Sequence, residues 1–381
     1  MANIWEHPNV IASEALRHLE DSLIIGALCA KDKTSEFTST ANGWKVGDTV
    51  SFKTHGEYEV TEFQTEIVPQ EIRTSSRSMT IEKLLDISVE VTAKEEVLDL
   101  DSFSEQVLSP AAYKLAEKVD LHLGTKLLQA HGLYVSGTLY ESAADMAQAR
   151  KAATLQQLGR NRASLIDLDT EATLLGQTWF NQAQTRGQAG LTTLATGDMG
   201  VVMGMQWISS IGFPTNLVPH TCGTGTASTN NNNKANNKIG DKVLVCTALS
   251  GPVKAGDRVR IAGVRRPLLI AADASATGTS LNLVDPITEV IPNASAITVI
   301  GSGLDLTYHG AIMDDKCLGV AFPMLDKPGD KVCGTAHSNG ISIRIVKGYD
   351  MVKKKNMMSM DLLIGAFMLD PRRVTLAAFG E

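Results

Sequence analysis

Leu108, Ala112, Leu115, Val119, Leu123 and Leu127 recur at intervals of three and four residues and draw one unbroken apolar stripe. That spacing dictates an α-helix with a single buried face. Ser102 and Glu105 stand at capping-box spacing, Ser109-Pro110 offers a second start, and Gly132 marks the end. At 1.5 Å per residue a helix over residues 103–131 is about 40 Å long. So long a stripe must be covered along its whole length, which suits a spine crossing a flat domain. The expected core of this helix is Leu108, Leu115, Val119, Leu123 and Leu127.

The segments before the spine follow other rules. Residues 8–28 carry Ile11, Ala15, Leu16, Leu19, Leu23 and Ile24 on one helical face, with Pro8 at its start. The polar, unpatterned residues 31–42 follow, so this helix has to lie on another domain or another subunit. From Trp44 the period changes to two, and a Gly47-Asp48 turn precedes a strand to Phe52. A second alternating strand spans residues 85–92. The connection between them carries Glu57, Glu59, Glu62, Glu66, Glu71, Arg73 and Arg77. Connections of about 30 residues are uncommon inside a compact domain. The bland reading is a surface hairpin; the sharper one is a two-stranded arm reaching a neighbouring subunit.

After the spine, residues 143–158 read as a helix opened by Ser142 and Asp145, residues 162–167 as a strand, and residues 170–184 as a helix carrying Leu174, Leu175, Trp179 and Phe180. Composition then shifts. Residues 221–238 hold Gly, Thr, Ala, Ser, Asn and Lys with Cys222, include the run Asn230 to Asn233, and offer nothing large and apolar. Such a segment gains too little from burial to offset its ordering and is expected to be an exposed loop. Short strands with turns roughly every ten residues fill the chain to about residue 301, the grammar of a small barrel. Helical domain sequence lies on its N-terminal side and mixed sequence on its C-terminal side, so it reads as an insertion into the larger domain. Two sustained strands follow, at residues 341–346 and 359–366, and residues 371–374 form the last element.

Composition narrows the function classes. The 381 residues carry a formal net charge of −7, with a pI near 5.7. A duplex-binding surface needs a basic stripe, and the densest cationic cluster is only Lys353, Lys354 and Lys355. Five scattered cysteines without a CxxC pair fit a reduced cytosolic compartment. Neither a secretion signal nor an uncharged apolar run long enough for a membrane is present, so a soluble protein assembled in a cytoplasm is expected.

The search for chemistry yields no catalytic, cofactor-binding or metal residue. GxSxG, HExxH, a Walker loop and a complete GxGxxG are all absent. Gly223-Thr224-Gly225 lacks its third glycine. His220 with Cys222, and Cys333 with His337, could together make a tetrahedral zinc site, but neither pair has finger spacing. His309 with Asp314 and Asp315 can be drawn as an acid–base group, although Asp-Asp reads better as a turn.

The order of elements resembles that of tailed-bacteriophage major capsid (coat) proteins, and most of all the short-tailed temperate phage coat proteins that carry an inserted β-barrel domain. The residues carrying the resemblance are Lys254-Ala255-Gly256-Asp257-Arg258-Val259-Arg260-Ile261-Ala262-Gly263-Val264, Tyr308-His309-Gly310-Ala311-Ile312, Gly340-Ile341-Ser342-Ile343-Arg344-Ile345, Gly348-Tyr349-Asp350 and Asp361-Leu362-Leu363-Ile364-Gly365. The resemblance spans nearly the whole chain by order, through short motifs.

It implies an α+β tailed-phage major capsid fold with an inserted small β-barrel domain. Its parts would be an N-terminal arm (1–43), an extended loop (44–93), a peripheral domain with the spine helix (94–160), a first axial part (161–220), the inserted barrel (221–303) and a return with the C-terminal strands (304–381). Inter-subunit contacts are then expected from Glu57, Glu62, Glu66, Arg73 and Arg77, and from Asn231, Asn233, Lys234 and Lys238 in the Asn-rich loop. That loop lacks the acidic residues for a salt bridge between capsomers.

The function implied is self-assembly into pentamers and hexamers forming an icosahedral head around double-stranded DNA, in a virion assembled in the bacterial cytoplasm. The partners implied are a scaffolding protein, a portal protein, a decoration protein and weak non-specific contact with packaged DNA, with no membrane and no cofactor. An encapsulin-like compartment shell is the second reading, and an enzyme with an unrecognised site the third.

Overall fold

The computed structural model describes residues 8–31, 46–53, 76–91, 103–137, 140–156, 158–159, 161–181, 187–213, 220–230, 236–314, 317–328, 332–350 and 355–380. In chain order the elements begin with α1 (Pro8–Ser22), α2 (Ile25–Leu28), β1 (Thr49–Lys53) and β2 (Ser76–Val91). A π-helical turn (Ser104–Leu108) leads into α3 (Ser109–Leu127), then β3 (Gly132–Ser136), α4 (Ala143–Leu155) and β4 (Arg162–Ile166). Next come α5 (Leu168–Gly176), α6 (Thr178–Asn181), α7 (Gln188–Thr196), β5 (Val201–Val202), β6 (Met205–Ser209) and β7 (His220–Thr221). Short strands follow: β8 (Thr226–Ser228), β9 (Val243–Val245), β10 (Arg258–Ile261), β11 (Leu268–Leu269), β12 (Ser280–Asn282) and β13 (Ala296–Val299). The last elements are β14 (Asp305–Asp314), β15 (Leu318–Ala321), β16 (Val332–Ser338), β17 (Ile341–Asp350), β18 (Lys355–Met368), a 3₁₀ turn (Pro371–Arg373) and β19 (Val374–Gly380). The fold is α+β and divides into two compact units, residues 1–126 with 318–369 and residues 127–317 with 370–381.

The first unit is built on a sheet in the order β1-β2-β18-β17-β16, with β15 added on β18. Strand β2 has 16 residues, about 50 Å at strand rise. It pairs with β1 through Ser76 to Thr80 and with β18 through Ile81 to Val91. Cross-strand pairs Leu85↔Leu362, Ile87↔Met360 and Val89↔Met358 give β2 and β18 one apolar face. The base of the β1–β2 hairpin is tied down by Phe52, whose ring stacks on Phe367 at 5.3 Å. Met79, Ile81, Ala321 and Leu363 complete that cluster.

Helix α1 lies on β16 and β17, burying Ile11, Ala12, Ala15, Leu16 and Leu19. The approach is close enough to require glycine at one point: a Cβ on Gly334 would meet the carbonyl oxygen of Pro8 at 2.2 Å. Thus the N-terminal helix is covered by the chain's own sheet. In α3 the stripe residues Leu115, Val119 and Leu123 are buried, as is Leu108 in the turn before it. Asp120, also buried, accepts from the N–H groups of Ile24 (2.8 Å) and Gly26 (2.9 Å), so its carboxylate holds the start of α2. Burial raises its pKa against the pull of those two donors.

The second unit has a sheet in the order β3-β19-β14-β4-β6-β5, with β7 beside β14. The β3–β19 and β4–β6 pairs are parallel and the rest antiparallel. Its core gathers Met146, Ala149 and Ala153 of α4, Leu174 of α5, Phe180 of α6, and Met205 and Trp207 of β6. Ser142 accepts from Asp145 N–H at 3.3 Å and Asp167 accepts from Thr170 N–H at 3.1 Å, capping α4 and α5.

Between β7 and β14 the chain makes a ring. Four strands pair as β11-β10-β13-β8, and two as β12-β9. The bridges Thr229↔Cys246 and Ile270↔Leu283 join the two sets at both ends. Leu244, Val259, Ile261, Leu281 and Ile297 fill the interior.

Several expectations change. The spine helix stops at Leu127 and Gly132 opens a strand, because parallel pairing with β19 captures the chain there. The helix expected over 143–158 ends at Leu155. That over 170–184 starts earlier, at its Asp167 cap, and breaks at Gln177. The helix over 8–28 is interrupted after Ser22. The strand expected at 85–92 begins at Ser76, because Met79 and Ile81 are buried even though their neighbours are polar.

Residues 221–238 are the largest correction. Cys222 is buried, Thr226–Ser228 is a ring strand, and Asn237 clamps Val245 by accepting from its N–H (2.6 Å) and donating to its carbonyl (3.0 Å). Small polar residues are in the ring because backbone pairing, not side-chain size, holds them.

Candidate assembly surfaces

In the first unit, the β1–β2 hairpin presents the features of a surface that meets another chain. Strand β1 is the last described strand at its end of that sheet. The outward face of β2 carries Leu84, which is 48% exposed, in a row with Asp86, Ser88 and Glu90. Glu90 pairs with Lys355, the first residue of β18. Arg77 donates to the carbonyl of Met368 at 3.4 Å and so secures the hairpin base. Glu57, Glu62, Glu66 and Arg73 fall outside the described residues, as do Lys353 and Lys354.

In the second unit, the exposed large apolar residues include Leu168, Leu194, Val201 and Ile211, with Leu194 at 70% and Val201 at 68%. They belong to α5, α7, β5 and the turn after β6. Within the Asn-rich segment Lys238 is exposed, while Asn231, Asn233 and Lys234 fall outside the described residues.

The ring is fastened to its unit by Asp257 and Arg258, within the segment that carries the resemblance. Residues 254–257 make a turn, Asp257 N–H to Lys254 O at 3.1 Å, with Gly256 at φ +91°. Arg258 is only 2% exposed. Its guanidinium donates to the carbonyls of Leu128 (2.7 Å) and Ala130 (3.0 and 3.1 Å), and to Tyr308 Oη (2.8 Å). Those carbonyls follow directly on α3, where helix ends leave acceptors unsatisfied and favour a cation. His131 and Asp285 add a second tie, 2.9 Å apart.

None of the motifs weighed for chemistry assembles as drawn. His309 Nδ1 lies 3.2 Å from Asp167, not at Asp314. Asp314 ends β14, where its carbonyl accepts from Cys317 N–H (3.2 Å) as in a turn, and its carboxylate accepts from Arg373 (2.8 Å) and Gly159 N–H (3.0 Å). Asp315 falls outside the described residues. Gly223 is small because Pro252 O would lie 2.3 Å from a Cβ there, a packing constraint and not a phosphate cradle. Cys333 and His337 stand on β16 in the first unit, His337 bonded to Ser342 Oγ at 2.8 Å, whereas His220 and Cys222 belong to the second. Sequence reasoning missed Asp120, Asp167 and the joint made by Arg258. Of these, only the Ser/Thr/Asp capping pattern at Asp167 left a local signal.

No family model and no curated protein matches the chain. Among solved structures, it is similar to one from Mycobacterium phage Che8, at 9% identity, covering 94% of this chain and 90% of that one, with a TM-score of 0.48. It is also similar to the capsid structure of the cyanophage P-SCSP1u, at 12% identity over 88% and 85% of the two chains, with a TM-score of 0.44. Phage capsids are among its structural neighbours. A virus-like particle from Pyrococcus furiosus is another, at 8% identity over 96% of each chain, with a TM-score of 0.40. No helix among the described residues is long and apolar enough to cross a membrane.

Proposed function

We propose that this chain is the major capsid subunit of a tailed phage, a shell builder and not a catalyst. In this reading many copies join as pentamers and hexamers into an icosahedral head around double-stranded DNA. Assembly takes place in the bacterial host cytoplasm on a scaffolding protein. A portal protein at one vertex and a decoration protein outside complete the virion.

The observation that carries the reading is strand β2. It is tied to β18 from Ile81 to Val91 and runs on past that pairing, from Thr80 back to Ser76, beside β1 alone among the described strands. A shell subunit needs large contacts with several neighbours, and strands that exchange backbone hydrogen bonds supply them without demanding a deep pocket. The exposed apolar residues of the second unit, Leu194 and Val201, fit contact around a symmetry axis. We read the ring as the inserted barrel domain. The net charge of −7 suits an inner surface along which DNA slides during packaging.

The test is expression with and without a candidate scaffold, followed by negative-stain electron microscopy. Closed shells or capsomers are expected, protecting DNA from nuclease when made in infected cells. A monomer that persists at high concentration overturns the proposal. Shells that enclose a protein cargo in place of DNA overturn the phage assignment in favour of a compartment shell.

A further inference from the structure

His220, Cys222 and Asp257 bring an imidazole nitrogen, a thiol sulfur and a carboxylate oxygen within 4.8 Å of one another. The backbone of each is fixed independently. His220 is in β7, paired with Leu306 of β14. The Cys222 N–H donates to Leu304 O at 3.0 Å. Asp257 closes the turn of residues 254–257, where a Cβ on Gly256 would approach the His220 ring to 3.3 Å.

The Asp257 carboxylate is already oriented. Its Oδ2 accepts from the N–H groups of Gly223 (3.1 Å) and Lys254 (2.8 Å), while Oδ1 faces His220 Nε2 at 2.7 Å. Amides holding one oxygen so that the other is presented singly are the supporting contacts that ligating carboxylates have. His220 also lines a cleft with Gly256, Arg258, Ile270 and Tyr308, which gives solvent a way to the cluster.

One nitrogen, one sulfur and one oxygen suit a borderline-soft divalent ion that prefers four ligands. At ordinary zinc bond lengths, tetrahedral ligand atoms stand about 3.3–3.6 Å apart. The 2.7 Å contact between His220 and Asp257 therefore has to open by less than about 1 Å. A thiolate and a carboxylate together cancel the charge of a divalent ion.

We propose that His220, Cys222 and Asp257 form a structural site for a zinc-class divalent ion, clamping the start of the ring to its first hairpin, with water as fourth ligand. On binding, Cys222 releases its proton to solvent, and the His220 proton moves from Nε2 to Nδ1. The sequence reading assigned no metal because neither Cys/His pair has finger spacing and the third ligand is remote in sequence. This inference is independent of the shell assignment.

The test uses the full chain, stripped with a chelator and titrated with Co²⁺, then with Zn²⁺. One Co²⁺ per chain is expected, with the near-ultraviolet absorption that marks a thiolate–cobalt bond, lost as Zn²⁺ displaces it. Cys222→Ser abolishes that absorption and His220→Gln weakens Co²⁺ binding at least about tenfold. Cys246→Ser, which removes another buried thiol of the ring, leaves it intact. Absence of the thiolate band in the folded natural chain overturns the proposal, whatever the variants do. So does a band that survives Cys222→Ser.

Discussion

Arg258 holds the carbonyl of Ala130 with two N–H groups at once, Nε at 3.1 Å and Nη2 at 3.0 Å. A lysine has one compact ammonium and cannot reproduce that fork while also reaching Leu128 and Tyr308. Arg258→Lys is therefore expected to destabilise the protein by about 3 kcal/mol, the loss of one or two charge-assisted hydrogen bonds. Chemical denaturation of the two proteins measures it.

The spine stripe sets a second expectation. Leu115→Asp or Val119→Asp buries a carboxylate with no partner, and neither is expected to yield folded protein. Leu123→Ala, which leaves a cavity only, is expected to fold with a loss of about 3 kcal/mol. Soluble expression and urea unfolding separate the two outcomes.

Gly334 is where α1 meets the sheet. Gly334→Ala puts a methyl group 2.2 Å from Pro8 O, so the start of the helix must lift. Proteolysis within residues 8–22 is expected to speed up by about tenfold, while cleavage in the second unit keeps its rate.

Deleting residues 223–238 removes β8 and Asn237 and is expected to open the ring. Deleting only residues 231–235, with a glycine link, is expected to keep the chain's melting temperature. Under the shell reading, it weakens contacts between capsomers. Shells from the shorter deletion that are as stable as the natural ones would show that this loop bridges nothing.

The pH prediction concerns metal-free protein. The folded Cys222 thiol is raised from 9.0 to about 12. A raised pKa means that the stability present below pH 9 is lost as pH climbs through the folded value. Urea midpoints are thus expected to fall between about pH 9 and 12, and to fall less in Cys222→Ala.

Much of this architecture is legible in the residues. The spacing of Leu108 to Leu127 marks the spine, and Ser142 and Asp145 mark the start of α4. What resisted reading has a physical cause in each case. Cys222 and Thr226 lack the bulk that signals a strand, yet backbone pairing recruits them. Asp120 and Arg258 look like surface charges, because the carbonyls and amides that satisfy them lie elsewhere in the chain. The partner of His309 was hidden for a related reason: β14 pairs antiparallel with β4, which brings Asp167 to its imidazole.

The ring begins and ends at neighbouring points. His220 pairs with Leu306 and the Cys222 N–H donates to Leu304 O, so the leads into and out of some eighty intervening residues run side by side. Facing residues of an antiparallel pair are about 5 Å apart, a gap that a two-residue turn spans. The ring is in that sense a detachable cassette: excised and replaced by Asn-Gly, it leaves β7 and β14 in register, and a foreign domain with adjacent termini can be spliced in its place.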